Sequence, residues 1–232
     1  MNQVVHLPLK ETQNNKPVKA KVATRTPTRT NDPERTMAGI LEVATVEFAE
    51  KGLDGARIDE IAAATKTSKR MIYYYFSSKE GLYRAVLEDM YRRMRAIESS
   101  LHLADLPPVE ALQKLVGFTF DHHHSNENFI RLVMSENMQR GAYLSQSKSI
   151  QDLNVPAIAA IRELYERGVA SGVFRPGLDP VDIHASISAL TFFNVSNKHT
   201  FGLIFKQDPA STDAVMTRRN NVIEMVLRYV LA

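Results

Sequence analysis

The stretch TSKRMIYYYFSSKEGLY, residues 67–83, decides how the rest of the chain is read. Three consecutive tyrosines follow Ser68-Lys69-Arg70 and precede Ser77-Ser78-Lys79-Glu80. A buried helix would place Leu or Val there and a solvated one Glu or Lys, so side-chain direction carries the answer. With Ile72 set inward and about 100° per residue, Phe76 falls at about 40° and Tyr75 at about −60°, both leaning to a core. Tyr73 lies on the flank at about 100°, while Arg70 and Tyr74, at about 160° and 200°, point outward. Met71, at about 260°, and Lys69, at about 60°, complete the turn. One tyrosine packs, one sits at the rim, and one stands exposed beside an arginine.

The flanking sequence sets this helix in a frame. Upstream, DPERTMAGILEVATVEFAEKG opens with Asp32 as N-cap and Pro33 in the first turn, and stops at Gly52. Met37, Ile40, Leu41, Ala44 and Phe48 share one face of it. A short helix is expected over IDEIAAA, residues 58–64, then a break at 65–67 and the tyrosine helix over 68–76. Ser77 and Glu80 offer a capping box for a long helix with an apolar stripe of Leu82, Val86, Met90, Met94, Ile97 and Leu101. A short helix with Arg, Lys, Tyr and Met outside, held across another short helix, has the plan of a helix-turn-helix reader. There Tyr hydroxyls bond phosphate oxygens, Lys and Arg neutralise backbone charge, and Arg bonds a guanine edge through two donors. Lys79 sits where exposed N–H groups and the helix dipole favour a phosphate. An exposed aromatic helix used for protein contacts is the competing reading of the same spacing.

FAEKGLDGARIDEIAAA followed by SKRMIYYYFSSKEGLY resembles the DNA-binding domain of the TetR family of bacterial transcriptional regulators. The resemblance covers residues 34–80. It implies that Lys69, Arg70 and Met71 approach base edges, and that Tyr73, Tyr74 and Lys79 contact backbone. It also implies that Ile72 and Phe76 pack, with Tyr75 between packing and backbone contact. Two positions depart from the family pattern. Lys66 stands where the family's Ala-Gly-Val-Ser turn has glycine, and Arg57 where a Ser or Thr usually caps the second helix.

Beyond residue 107 the pattern stays helical, with helices expected over about 108–124, 126–139, 142–153, 155–171, 180–205 and 211–231. No strand alternation and no internal repeat stand out. The expected fold is all-α: a flexible basic arm at 1–31, a helix-turn-helix domain at 32–80, and a helical ligand-sensing and dimerising bundle at 81–232. The arm carries six Lys/Arg against one acid, whereas 32–80 holds seven against nine and the remainder sixteen of each. Such an arm either touches a polyanion or is a plain solvated tail. With no cysteine, disulfides and thiolate sites are excluded. No apolar run approaches the ~18 residues of a membrane span, so a cytoplasmic protein without a membrane partner is expected.

GVFRPGLDPVDIHASISALTFF, residues 172–193, is similar to a segment preceding the dimer-forming helix of many family members. The near-uniform apolarity around 180–205 and the small residues Ala157, Ala159, Ala160 and Gly168 in 155–171 suggest a two-fold homodimer interface, with burial inside one monomer as the alternative. The resemblance further implies a small-molecule effector and a palindromic double-stranded DNA operator. Candidate effector contacts are Met90, Met94, Phe118, His122, Met134, Met138, Phe192 and Asn194. Asp121-His122-His123-His124 invites a metal reading, but adjacent histidines point about 100° apart on a helix, so no metal site and no cofactor are expected. Glu136 is either a polar anchor for the ligand or an ion-pair partner. No phosphate loop, cysteine nucleophile or His-x-x-x-His spacing argues for an enzyme. The leading expectation is a ligand-responsive repressor, and the alternative is a ligand-independent architectural or partner-binding DNA protein.

Overall fold

The computed structural model describes Met1 and residues 32–232, and the basic arm expected at 1–31 otherwise lies outside the described residues. From Pro33 the chain forms helices α1 (Pro33–Gly55), α2 (Ile58–Ala64), α3 (Lys69–Phe76), α4 (Lys79–Ser99) and α5 (Pro108–Ser125). There follow α6 (Glu127–Met138), α7 (Lys148–Ala170), α8 (Pro180–Ser196), α9 (Lys198–Phe205) and α10 (Thr212–Val230). Short 3-10 turns interrupt at Leu103–Asp105 and Leu144–Gln146. Among the described residues no β-strand forms. One isolated bridge pairs Phe174 with Leu231 and ties the loop after α7 to the chain's last residues.

Local signals set most boundaries. Gly52 takes φ 68 and ends the regular part of α1. The Asp179 carboxylate accepts from Val181 N at 2.9 Å, with Pro180 at the first turn of α8. The cap of α4 corrects the sequence reading. Ser78, not Ser77, holds it, accepting from Gly81 N at 3.0 Å. Ser77 is instead drawn to φ 65 to close α3, where Ser78 N reaches Phe76 O at 2.8 Å.

Two other expectations fail for tertiary reasons. Separate helices over 142–153 and 155–171 are not formed. α7 runs through Pro156, because Ile150 before it and Ala157, Ile161 and Leu164 after it are all buried on one side. The hydrogen bond that proline removes is outweighed by packing on both sides of it. Conversely, 180–205 is not one helix. It breaks at Asn197, whose amide turns to Ser196 Oγ at 2.8 Å rather than supporting a continued helix.

The interior forms two apolar cores. The first joins Ile40, Ala44 and Phe48 of α1, Ile61 of α2 and Ile72 of α3 to Leu82, Val86 and Leu87 of α4 and Ile130 and Leu132 of α6. Phe48 and Tyr83 meet edge-on at 5.1 Å, and Tyr83 meets Tyr143 at 5.3 Å. Burial pushes the Tyr83 phenol up to about 12, with the Glu136 charge adding to it. Arg131 of α6 donates to the Ala49 carbonyl at 2.8 Å, so the end of α1 is held by a side chain from 82 residues away. The second core packs α5, α7, α8 and α10 through Leu112, Leu115, Ile161, Ile187 and Val226. Ile97 of the expected α4 stripe falls in neither core and is 49% exposed.

Candidate nucleic-acid interface

Because the first core continues past residue 80, α3 is braced from behind by α2 and α4 while its far side faces solvent. Ile72, with no exposed surface, anchors it. Ser68 caps its start, the hydroxyl accepting from Met71 N at 3.2 Å. On the opposite side Tyr74 is 76% and Tyr73 44% exposed. Tyr75 and Phe76 pack against the core, and Met71 is half-buried. The three tyrosines thus divide into one packed, one at the rim and one free, as the 3.6-residue spacing predicts. The Tyr74 and Tyr75 rings meet edge-on at 5.3 Å, which fixes the outer ring's direction without burying it.

The charges sort differently. Arg70 is exposed, and among the described residues it makes no ion pair or side-chain hydrogen bond. Lys69, by contrast, is paired with Asp59, and Lys79 donates to the Asp54 carbonyl at 3.1 Å. Lys51 bridges Glu47 and Glu60, and its pull holds the Glu60 carboxyl below the usual carboxylate range. Acids outnumber bases over 32–80, yet several of those acids are engaged by lysines away from the outer side of α3. Arg70 is left as a cation on that side, with two phenols beside it. Arg57 caps α2 by backbone alone, its N–H donating to Glu47 Oε1 at 3.0 Å.

The turn between α2 and α3 keeps the left-handed step despite the missing glycine. Lys66 has φ 52, Lys66 N bonds Ala63 O at 3.2 Å, and Thr67 N bonds Ala62 O at 3.0 Å. That pair of bonds is the Schellman closure of α2, and it normally favours glycine at the left-handed position. A side chain there costs about 1 kcal/mol. Lys66→Gly is therefore expected to raise stability by up to about 1 kcal/mol. The check is a shift of the urea midpoint at unchanged slope, and no shift would mean that the lysine recovers the cost by another contact.

The eight candidate effector residues do not converge. Phe118 and His122 rings lie 5.8 Å apart, His122 and Phe129 5.6 Å, and Phe192 meets His123 at 6.1 Å. This aromatic group gathers three of the eight. Met90 and His122 line a cavity of about 440 Å³ beside α1 and α6. Met134 and Met138 border another of about 250 Å³, with Met138 84% exposed, and Asn194 borders a third of about 410 Å³. Asn194 Oδ1 already accepts from Arg218 at 2.9 Å, and Met94 is buried in the first core.

Other polar candidates are absorbed by the fold. Glu136 is buried, with its Oε1 left without a partner among the described residues. Its Oε2 accepts from Tyr143 N at 3.2 Å and Leu144 N at 2.9 Å, closing the second 3-10 turn. Asp121 takes a two-point bond from Arg219 at 2.8 and 2.9 Å. His123 is buried 2.9 Å from Thr191 Oγ1, and burial, then its charged neighbours, push it down to about 4. Among the described residues no three His, Asp or Glu side chains come together as metal ligands.

The sequence reading passed over a fourth cavity, of about 360 Å³, between the end of α4, the Leu103–Asp105 turn and α7. Arg95, Glu98 and Arg167 border it, and Pro156, Ala157 and Ala160 form part of its wall. Gly168 also faces inward, against the Phe174 ring. Of the small residues of α7, Ala157 and Gly168 are buried within the chain, while Ala159 and Ala160 remain exposed.

Residues 40–86 match the family described as bacterial regulatory proteins, tetR family, and residues 108–226 match the tetracyclin repressor-like C-terminal domain. The HTH-type transcriptional repressor NicS of Pseudomonas putida is 32% identical over 204 residues, covering 88% of this chain and 96% of that protein. Among solved structures, the SCO4942 protein of Streptomyces coelicolor superposes with a TM-score of 0.62 at 27% identity, covering 84% of this chain and 98% of that one. A tetR-family regulatory protein from Rhodococcus RHA1 gives 0.67 at 22% identity, covering 85% and 98%, which speaks to the fold alone.

Proposed function

The chain belongs to the TetR family of bacterial transcriptional regulators, and from that premise we propose that it is a homodimeric repressor that binds a near-palindromic operator and leaves it when a small molecule binds. One observation supports the DNA-reading role above the rest: the outer side of α3 presents Arg70 and Tyr74 to solvent on a helix fixed from behind. Residues 32–80 form the reading part, with Arg70 and Tyr74 leading, Tyr73 at the rim, and Met71 and Tyr75 as supporting contacts. Lys69 and Lys79 reach phosphates only by leaving Asp59 and the Asp54 carbonyl. Residues 81–232 sense and dimerise, and no catalytic role is assigned to any residue.

Apolar surface left uncovered on the last helices supports the dimer. Val181 and Phe193 of α8, Leu203, Ile204 and Phe205 of α9, and Met216 of α10 are between 43% and 81% exposed. Large apolar side chains left in water on three successive helices are a mark of an interaction surface. No described helix is long and apolar enough to cross a membrane, so a second protein surface is the natural cover. Repression follows the name given to the Pseudomonas putida relative.

DNA selected from random genomic fragments is expected to give a footprint of two symmetric half-sites, about 34–36 Å apart or a multiple of that. A footprint with a single asymmetric half-site contradicts the dimer, and failure to select any sequence contradicts the regulator.

A further inference from the structure

The cavity beside the end of α4 is built for a particular chemistry. Its wall from α7 is largely apolar, with Leu153, Pro156, Ile161 and Leu164 beside the charged Glu163 and Arg167, and Ala157 and Ala160 leave the space open. At about 360 Å³ it falls within the usual range for small-molecule sites, roughly 300–1,000 Å³. Two arginines border this volume, together with Glu98, Glu163, His102 and Ser99.

Both guanidinium groups are short of acceptors. The Arg95 side chain is 12% exposed and gives one terminal N–H to Glu98. Its other terminal nitrogen finds only the Met94 sulfur, at 3.8 Å, and Nε has no partner. Arg167 spends its terminal donors on backbone carbonyls of the 3-10 turn, Leu103 at 2.9 Å, Leu106 at 3.0 Å and Ala104 at 3.1 Å. Its Nε is likewise buried without a partner. Two buried donors without partners on charged groups are costly, and an acceptor that carries negative charge, met by a turn of each side chain, offsets that cost.

The surrounding charge points the same way. Burial pushes the Glu98 carboxyl up while Arg95 opposes this, and burial pushes His122, His123 and His184 down, with Arg95 adding to each. The Arg95 charge is thus felt across that side of α4, with Glu98 as its direct ion-pair partner. A guanidinium pair suits a planar carboxylate, which accepts two parallel N–H bonds.

We propose that this cavity binds a small monocarboxylic acid with an apolar body, its carboxylate taken by Arg95 and Arg167 and its body lying on Leu153, Pro156, Ile161 and Leu164. The proposal rests on the regulator reading for its biological meaning, since α4 begins directly after the reading helix and carries Arg95 near its other end. A ligand that binds one arrangement of α4 better than another shifts operator affinity by that difference.

Benzoate, phenylacetate and hexanoate, each tested at millimolar concentration against the full chain beside benzamide, phenylacetamide and hexanamide, decide the matter by thermal shift and calorimetry. At least one acid is expected to raise the unfolding midpoint while its amide does not. Arg95→Gln is expected to weaken that acid by tenfold or more. Ala160→Leu, which fills the space without touching charge, is expected to abolish binding even if the Arg95 variant folds poorly. No binding by any of the acids, equal binding of acid and amide, or unaltered binding in Ala160→Leu overturns the site. Operator binding measured without any acid is a separate readout. If it persists while the acids fail, the site assignment is wrong and the regulator reading stands. If no DNA is bound while the acids bind, the reverse holds.

Discussion

Alanine at Arg70 and at Tyr74 is expected to weaken operator binding by about 1–3 kcal/mol for each side chain while leaving the unfolding midpoint in place. Neither residue belongs to a core, and Tyr74 is 76% exposed. The loss therefore comes from the complex and not from the fold. Among the described residues Arg70 has no acceptor of its own, so its donors are available to a guanine edge or to phosphates. The two residues are one helical turn apart, and the double variant need not lose the sum of the singles. Lys69→Ala gives the contrast. Its ammonium is already paired with Asp59, so contact with DNA must first break that pair, and the net loss is expected to be smaller. Fluorescence anisotropy on a selected operator at fixed salt measures all four variants beside the wild type. Wild-type affinity in both single variants would falsify the assignment of the outer side of α3.

How much of this was legible in the sequence depends on the range of the forces involved. The faces of α3 followed from helical spacing, and the stops at Gly52 and Asp179-Pro180 from backbone geometry, because both are local. Lys66 was legible only as a departure from the family's glycine, with the turn geometry left open. The backbone there keeps the left-handed step that glycine favours, at φ 52. What escaped depends on partners far along the chain. Lys79 reads as a free phosphate ligand until the Asp54 carbonyl, 25 residues earlier, is seen to hold it. Pro156 reads as a break until buried residues on both sides carry α7 through it. Met138 has the composition of a pocket residue yet stands in solvent, while Arg95 has the spacing of a surface cation on an amphipathic helix yet its side chain is only 12% exposed. A cation one position from a buried methionine was the only hint, and spacing alone does not distinguish an inward arginine from one whose stem lies along the surface.

Gly81→Ala tests the joint between reading helix and lever. On helix propensity alone the change stabilises, because alanine exceeds glycine by about 1 kcal/mol inside a helix. The structure predicts the opposite. A Cβ on Gly81 would lie 2.0 Å from the Phe76 carbonyl oxygen and 3.2 Å from its carbon, and both are backbone atoms that no rotamer change can move. The end of α3 rests on the first turn of α4 only because position 81 has no side chain, with Ser77 at φ 65 already bending the chain to fit. Relief requires α3 to lift from α4, which withdraws Ile72 and Phe76 from the first core and tilts Arg70 and Tyr74 away from any groove they share. The expected cost is about 2–3 kcal/mol of stability, in the range of overpacked sites, together with loss of operator affinity at nearly unchanged helix content. Gly39→Ala on α1 is the matched control, since nothing lies within 4 Å of its added carbon. It is expected to be neutral or to stabilise by up to about 1 kcal/mol. If the two variants behave alike, by denaturant midpoint and by anisotropy, then α3 does not sit as closely on α4 as these distances require, and DNA reading and α4 are not rigidly joined.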